Sequence, residues 1–187
     1  MKIFKFILFL TSFAIVVSCN NSKKSSNEIA ELKIENYLET VENKFPNFET
    51  NTAINDELND YLKKDFKEAI NNGILTDLPF KLAKVEKCGN KYVLNLEHSL
   101  TSKFYDKYVL SNLEIDLYAL TDEKTAKSLQ EEQFYVVNIK FKDYINLNNK
   151  EKYCALVLMS PFMGYFANEK QFGAIAVDLK NIEKVSN

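Results

Sequence analysis

Apolar and polar positions follow three rhythms along this 187-residue chain, and each rhythm predicts a different kind of segment. The first has no period at all. Lys2 and Lys5 precede a nearly unbroken apolar run from Phe6 to Val17, after which Ser18, Cys19 and the polar stretch NNSKKSSNE end it abruptly. A membrane-crossing helix needs about 20 apolar residues, so this run is too short to span. A basic start, a short apolar core and a small residue before position 19 are the layout of a secretory signal over residues 1–18. The small polar residues of 19–27 then read as a flexible tether.

The second rhythm is helical. Ile29, Leu32, Ile34, Leu38, Val41 and Phe45 supply one apolar side, and Pro46 stops the segment because proline cannot continue a helix. Ile54, Leu58, Tyr61, Leu62, Phe66, Ala69 and Ile70 recur at steps of three and four, and Gly73 offers a left-handed stop. Asp56, Glu57, Asp60, Lys63, Lys64 and Lys67 form the solvated side of this second amphipathic helix. It has no sustained heptads, so it is expected to pack on its own domain rather than on a partner helix.

After Pro79 the period drops to two. Phe80, Leu82 and Lys84 alternate with Lys81, Ala83 and Val85; Gly89-Asn90 makes a turn; and Tyr92, Leu94 and Leu96 return against Lys91, Asn95 and Glu97, predicting a β-hairpin. Leu113, Ile115, Leu117 and Ala119 predict a half-buried strand. Thr121-Asp122-Glu123 cap a short helix carrying Ala126 and Leu129. Further strands are expected over Phe134–Ile145, Tyr153–Met159 and Phe172–Leu179, and the segment before the last of these bears Phe162, Met163, Tyr165 and Phe166. A loop with that many large apolar groups either folds back over the domain or presents a patch to a partner or ligand. The expected organisation is one globular domain over 28–187, helical over 28–73 and β over 78–181, of class α+β.

Composition narrows the chemistry. Every basic residue is lysine, so the planar guanidinium fork that grips phosphates in two-point fashion is absent. Without residues 1–18 the chain carries 22 lysines against 26 acids, a net charge of −4, which gives no steering field for polyanions. His98 is the single histidine; it is expected to be a polar residue at a strand end, and no imidazole cluster exists to hold zinc. The sequence contains no G-x-S-x-G, Walker loop, H-E-x-x-H or C-x-x-C motif. Glu114 and Asp116 share a strand face, and a pair of acids can run glycoside hydrolysis, but acids spaced by two are ordinarily a solvated face. No cofactor, metal or catalytic residue is assigned. Cys88 and Cys154 can pair in an oxidising compartment, or each can be a small buried hydrophobe.

The tetrad Val16-Val17-Ser18-Cys19 resembles a bacterial lipobox. That resemblance implies a diacylglyceryl thioether on Cys19, cleavage before it, and attachment to the membrane through lipid. Two or three acyl chains hold a protein stably where one does so only marginally. Asn20 and Asn21 stand where an aspartate is associated with retention in the inner membrane, so the expected address is the bacterial cell envelope, on the outer membrane.

The order of three strands, a short helix and further strands over Leu78–Asn181 resembles a small antiparallel OB-like barrel with its helix between strands 3 and 4. Such barrels bind single-stranded nucleic acid by stacking on aromatics inside a positive groove. This chain lacks the groove, so nucleic acid is not an expected partner. The expected function is a lipid-anchored envelope protein that binds a protein, a glycan or a small ligand without chemistry of its own. An envelope-located enzyme and an anchored inhibitor or immunity protein against a secreted toxin are the alternatives.

Overall fold

The computed structural model describes residues 26–48, 50–99, 113–145, 148–155 and 170–185. The fold is mixed α+β: two long helices, α1 (Ser26–Lys44) and α2 (Thr52–Asn71), precede strands β1 (Pro79–Cys88), β2 (Lys91–Ser99) and β3 (Leu113–Thr121), a short helix α3 (Glu123–Ser128), and strands β4 (Phe134–Tyr144) and β5 (Lys170–Lys184). The first helix begins at Ser26, so the last two residues of the expected tether are already helical.

Both ends of α2 are set by side-chain chemistry. The Asn51 carboxamide oxygen accepts from the amides of Ala53 and Ile54, satisfying donors that the first turn leaves open. At the other end Gly73 sits at φ +83°, and the amides of Ile74 and Gly73 return to the carbonyls of Ala69 and Ile70, a Schellman closure. A Cβ at Gly73 would stand 2.8 Å from the Thr76 hydroxyl, so a side chain here would be strained by the positive φ and would push that hydroxyl aside. The apolar side of α2, Leu58, Leu62, Phe66 and Ile70, is fully buried.

The five strands close into a ring in the order β1-β2-β3-β5-β4. Neighbours run antiparallel except β3 and β5, which run parallel; an all-antiparallel sheet was expected. The parallel pair arises because α3 and β4 intervene between these strands and carry the chain back to the end from which β3 started. Leu82, Leu94, Leu96, Leu117, Ala119, Val137, Ile175 and Val177 fill the ring, in one continuous core with the inner sides of α1 and α2. The helices are latched to β4: Asn71 Oδ1 accepts from the Phe141 amide at 3.0 Å, and the Tyr144 hydroxyl donates to the Lys63 carbonyl at 2.8 Å.

Two features depart from the simple alternation. The β1–β2 register shifts between Leu82 and Lys84, leaving Ala83 as a bulge. Beyond it the faces exchange, so Val85 packs on the core and Lys84 is exposed, the reverse of the expected pattern. Tyr153 lies in a 3₁₀ turn, Lys150–Tyr153, followed by Cys154 at φ 49°, so the strand expected over Tyr153–Met159 does not begin there. Residues 156–159 lie outside the described part.

Candidate functional site

The tip of the β1–β2 hairpin and the start of the β4–β5 connection are one unit. Gly89, at φ 63°, is the first residue of the two-residue hairpin loop, where a glycine suits the turn best. The adjoining Cys88 is bonded to Cys154 across 66 residues of sequence. Cys154 ends the 3₁₀ turn whose Tyr153 is almost fully buried against Ile145, Ala155, Ala174 and Ala176, with Tyr118 and Leu120 packed alongside. The connection therefore lies against the outer side of β3 and β5, where the small side chains of Ala174 and Ala176 make room for it. Tyr153 and Asn149 both donate to Asp143, at 3.1 and 3.2 Å, fixing the turn to the end of β4.

Beside this turn the outer face of β1, β2 and β3 is acidic. Glu97 stands opposite Asp116 in the ladder, and Asn95 opposite Tyr118. Burial, then the carboxylates of Asp116, Glu97 and Glu86, push the Tyr118 phenol up to about 12. The phenol therefore stays protonated at neutral pH. Glu86 is paired with Lys84, and the Asn95 amide donates to Glu97 at 3.2 Å. Asp116, one half of the expected acid pair, belongs to this face; the Glu114 side chain lies outside the described part.

His98 lies at the far end of β2 and is buried, with 8% of its surface accessible. Its Nδ1 is 2.6 Å from the Pro79 carbonyl oxygen, and among the described residues its Nε2 has no hydrogen-bond partner. Burial lowers its pKa, and the Pro79 carbonyl opposes that in part.

A cleft of about 590 Å³ opens between the hairpin tip, the end of β3 with the start of α3, and the last part of β5. Leu120, Leu179 and Ile182 contribute apolar surface to it, and Asn90, Lys91, Thr121, Lys180 and Asn181 are polar. Sequence reading missed this cleft because its walls come from three separate stretches.

Cys19, Phe162, Met163, Tyr165 and Phe166 lie outside the described residues. The two ends of the aromatic segment are described: Ala155 is buried beside the turn, and Lys170 opens β5. Among the described residues no three His, Cys, Asp or Glu side chains converge as a metal-ligand set, and no helix is long and apolar enough to cross a membrane. Compared with known proteins, the chain matches no family model, no curated protein and no solved structure.

Proposed function

We propose that this chain is a lipid-anchored binding protein of the bacterial cell envelope, held on the outer membrane through Cys19 and carrying an OB-like barrel as its recognition unit. The observation that carries the address is the tetrad Val16-Val17-Ser18-Cys19 after a basic start and a short apolar run. The recognition unit is supported by the strand order β1-β2-β3-β5-β4, with a helix between the third and fourth strands. Barrels of that kind take ligands on strands 2 and 3 and on the loops joining strands 1–2 and 4–5. Here those two connections are the ones joined by Cys88–Cys154, and the second contains Phe162, Met163, Tyr165 and Phe166. The partner is an envelope protein or a glycan. An acidic outer face and a chain without arginine weigh against nucleic acid.

The acidic face around Tyr118 favours one second reading, an anchored inhibitor of a basic secreted toxin. Metabolic labelling with radioactive palmitate tests the anchor: label enters the wild-type protein and not Cys19→Ala, and absence of label from wild type overturns it. Crosslinking in intact cells tests the binding role. Phe162→Ser with Phe166→Ser is expected to reduce partner recovery at unchanged melting temperature. A large loss of stability would instead assign those rings to packing.

A further inference from the structure

β5 outruns one of its two neighbours. Its pairing with β3 ends at Leu120↔Asp178, whereas β4 accompanies it to Tyr135↔Lys184. Residues Leu179–Lys184 therefore have a strand on one side and, among the described residues, none on the other. Backbone groups of an antiparallel strand face its partner at every second residue. The Val185 amide donates to the Phe134 carbonyl at 3.0 Å. Glu183 and Asn181 are in phase with Val185 and face β4. Ile182 and Lys184 turn their amides and carbonyls the other way, and Ile182 lies at the cleft. Lys180 is the extra residue where the β4–β5 register shifts. Unpaired N–H and C=O groups in a row are a template for another strand, and six residues give it a length of roughly 20 Å.

The cleft supplies the side-chain part of the recognition. Among its acids, Asp122 is turned onto the Thr125 amide at 2.7 Å and Glu123 onto Lys127 at 2.6 Å. Lys91 and Lys180 are exposed, and neither belongs to an ion pair among the described residues. Asp122 keeps its negative charge and Lys127 offsets that of Glu123, so Lys91 and Lys180 leave the cleft with one net positive charge beside the apolar surface of Leu120, Leu179 and Ile182. A strand laid on this edge points alternate side chains at that surface and at the lysines.

We propose that the free edge of β5 takes an extended segment of a partner protein, alternating apolar and acidic residues, as a sixth strand. A second copy of this chain fits less well, since its own β5 brings two lysines and one glutamate over the same stretch. The proposal rests on the reading of the domain as a binding module but not on the lipid anchor. Failed palmitate labelling would remove the anchor and leave this edge untouched.

The test uses the full-length, ¹⁵N-labelled chain in detergent micelles and two synthetic hexapeptides, one alternating valine with glutamate and one alternating valine with lysine. The acidic peptide is expected to shift the Ile182 and Lys184 amides and slow their hydrogen exchange. Lys91→Glu with Lys180→Glu should weaken its binding roughly tenfold or more. Ile182→Pro removes an amide that β4 does not use and should abolish binding while the β4–β5 amides stay protected. The proposal is overturned if those two amides do not respond, if the lysine peptide binds as well as the acidic one, or if the peptide-free chain is a dimer with this edge already protected.

Discussion

His98 Nδ1 lies 2.6 Å from the carbonyl oxygen of Pro79, just beyond the last β1–β2 pair, Lys81↔Glu97. A carbonyl only accepts, so Nδ1 carries the hydrogen and Nε2 is left bare in a buried site with no partner among the described residues. The ring thus continues by side chain a ladder that the backbone has ended, and Nδ1–H makes that bond in either protonation state, so the cost of a second proton falls on Nε2. A second proton would place an N–H where nothing accepts it.

Acid is therefore expected to destabilise the fold through this one group. Its folded pKa is lowered by burial, so the stability it contributes is full above the ordinary imidazole value of about 6.5 and is lost as pH falls through the lowered one. Each unit of lowering corresponds to about 1.4 kcal/mol. The charged residues of the adjoining strands do not offset this: Lys81 is paired with Glu132, while Glu97 and Asp116 lie on the outer face. Thermal melts between pH 7.5 and 4.5 should show a steeper loss for wild type than for His98→Asn, which keeps a donor and cannot titrate. Parallel curves would contradict the assignment. As the only imidazole in the chain, its NMR titration needs no further assignment.

The helical pair should loosen from the ring when Asn71 is replaced. Its carboxamide oxygen accepts the Phe141 amide at 3.0 Å, and removing one partner of a partly buried hydrogen bond costs about 1–3 kcal/mol. Asn71→Ala is expected to lower the unfolding free energy by that amount in urea and to speed hydrogen exchange at Phe141. An unchanged Phe141 amide would show that the latch is elsewhere.

Phe66 tests the core that the helices share. Fully buried and 5.8 Å from the Tyr37 ring between centroids, it should cost about 3–5 kcal/mol on truncation to alanine. Phe66→Leu, which keeps most of the volume, should cost less than half of that. Equal losses would mean that the site collapses around either change.

Reduction of Cys88–Cys154 should lower stability by about 2–4 kcal/mol, since the bond closes a long loop in the unfolded chain. The Cys88→Ala, Cys154→Ala variant should show the same loss and become insensitive to reductant. Hydrogen exchange in that variant should rise first around Tyr153 and Ala155, the segment that the bond fastens to the hairpin tip.

Local chemistry explains which parts of this molecule were readable from sequence. The second helix was legible except for its Asn51 cap, because Ile54 to Ile70 keep one period and Gly73, at φ +83°, has a conformation that favours glycine. The Gly89 turn and the Asp122 cap were equally local. The Ala83 bulge was not, since one extra residue in a strand leaves no mark on composition and yet exchanges the faces of Lys84 and Val85. Tyr153 read as a strand residue because it is aromatic and opens an apolar run; its burial instead comes from a turn folded over two alanines of β5. The free edge and the cleft were invisible for a different reason. They exist only because β5 is longer than the partner that the ring assigns to it, and that partner is fixed by topology.

Placing β5 between β3 and β4 also dictates an order of events. It is the last of the five strands in the chain, yet it supplies two of the ring's five seams. A polypeptide emerging N-terminus first from a ribosome or a translocation pore can form the helices and the first hairpin early. It cannot close until the final strand arrives to be inserted between two that are already waiting. Until then its half-built wall stays open.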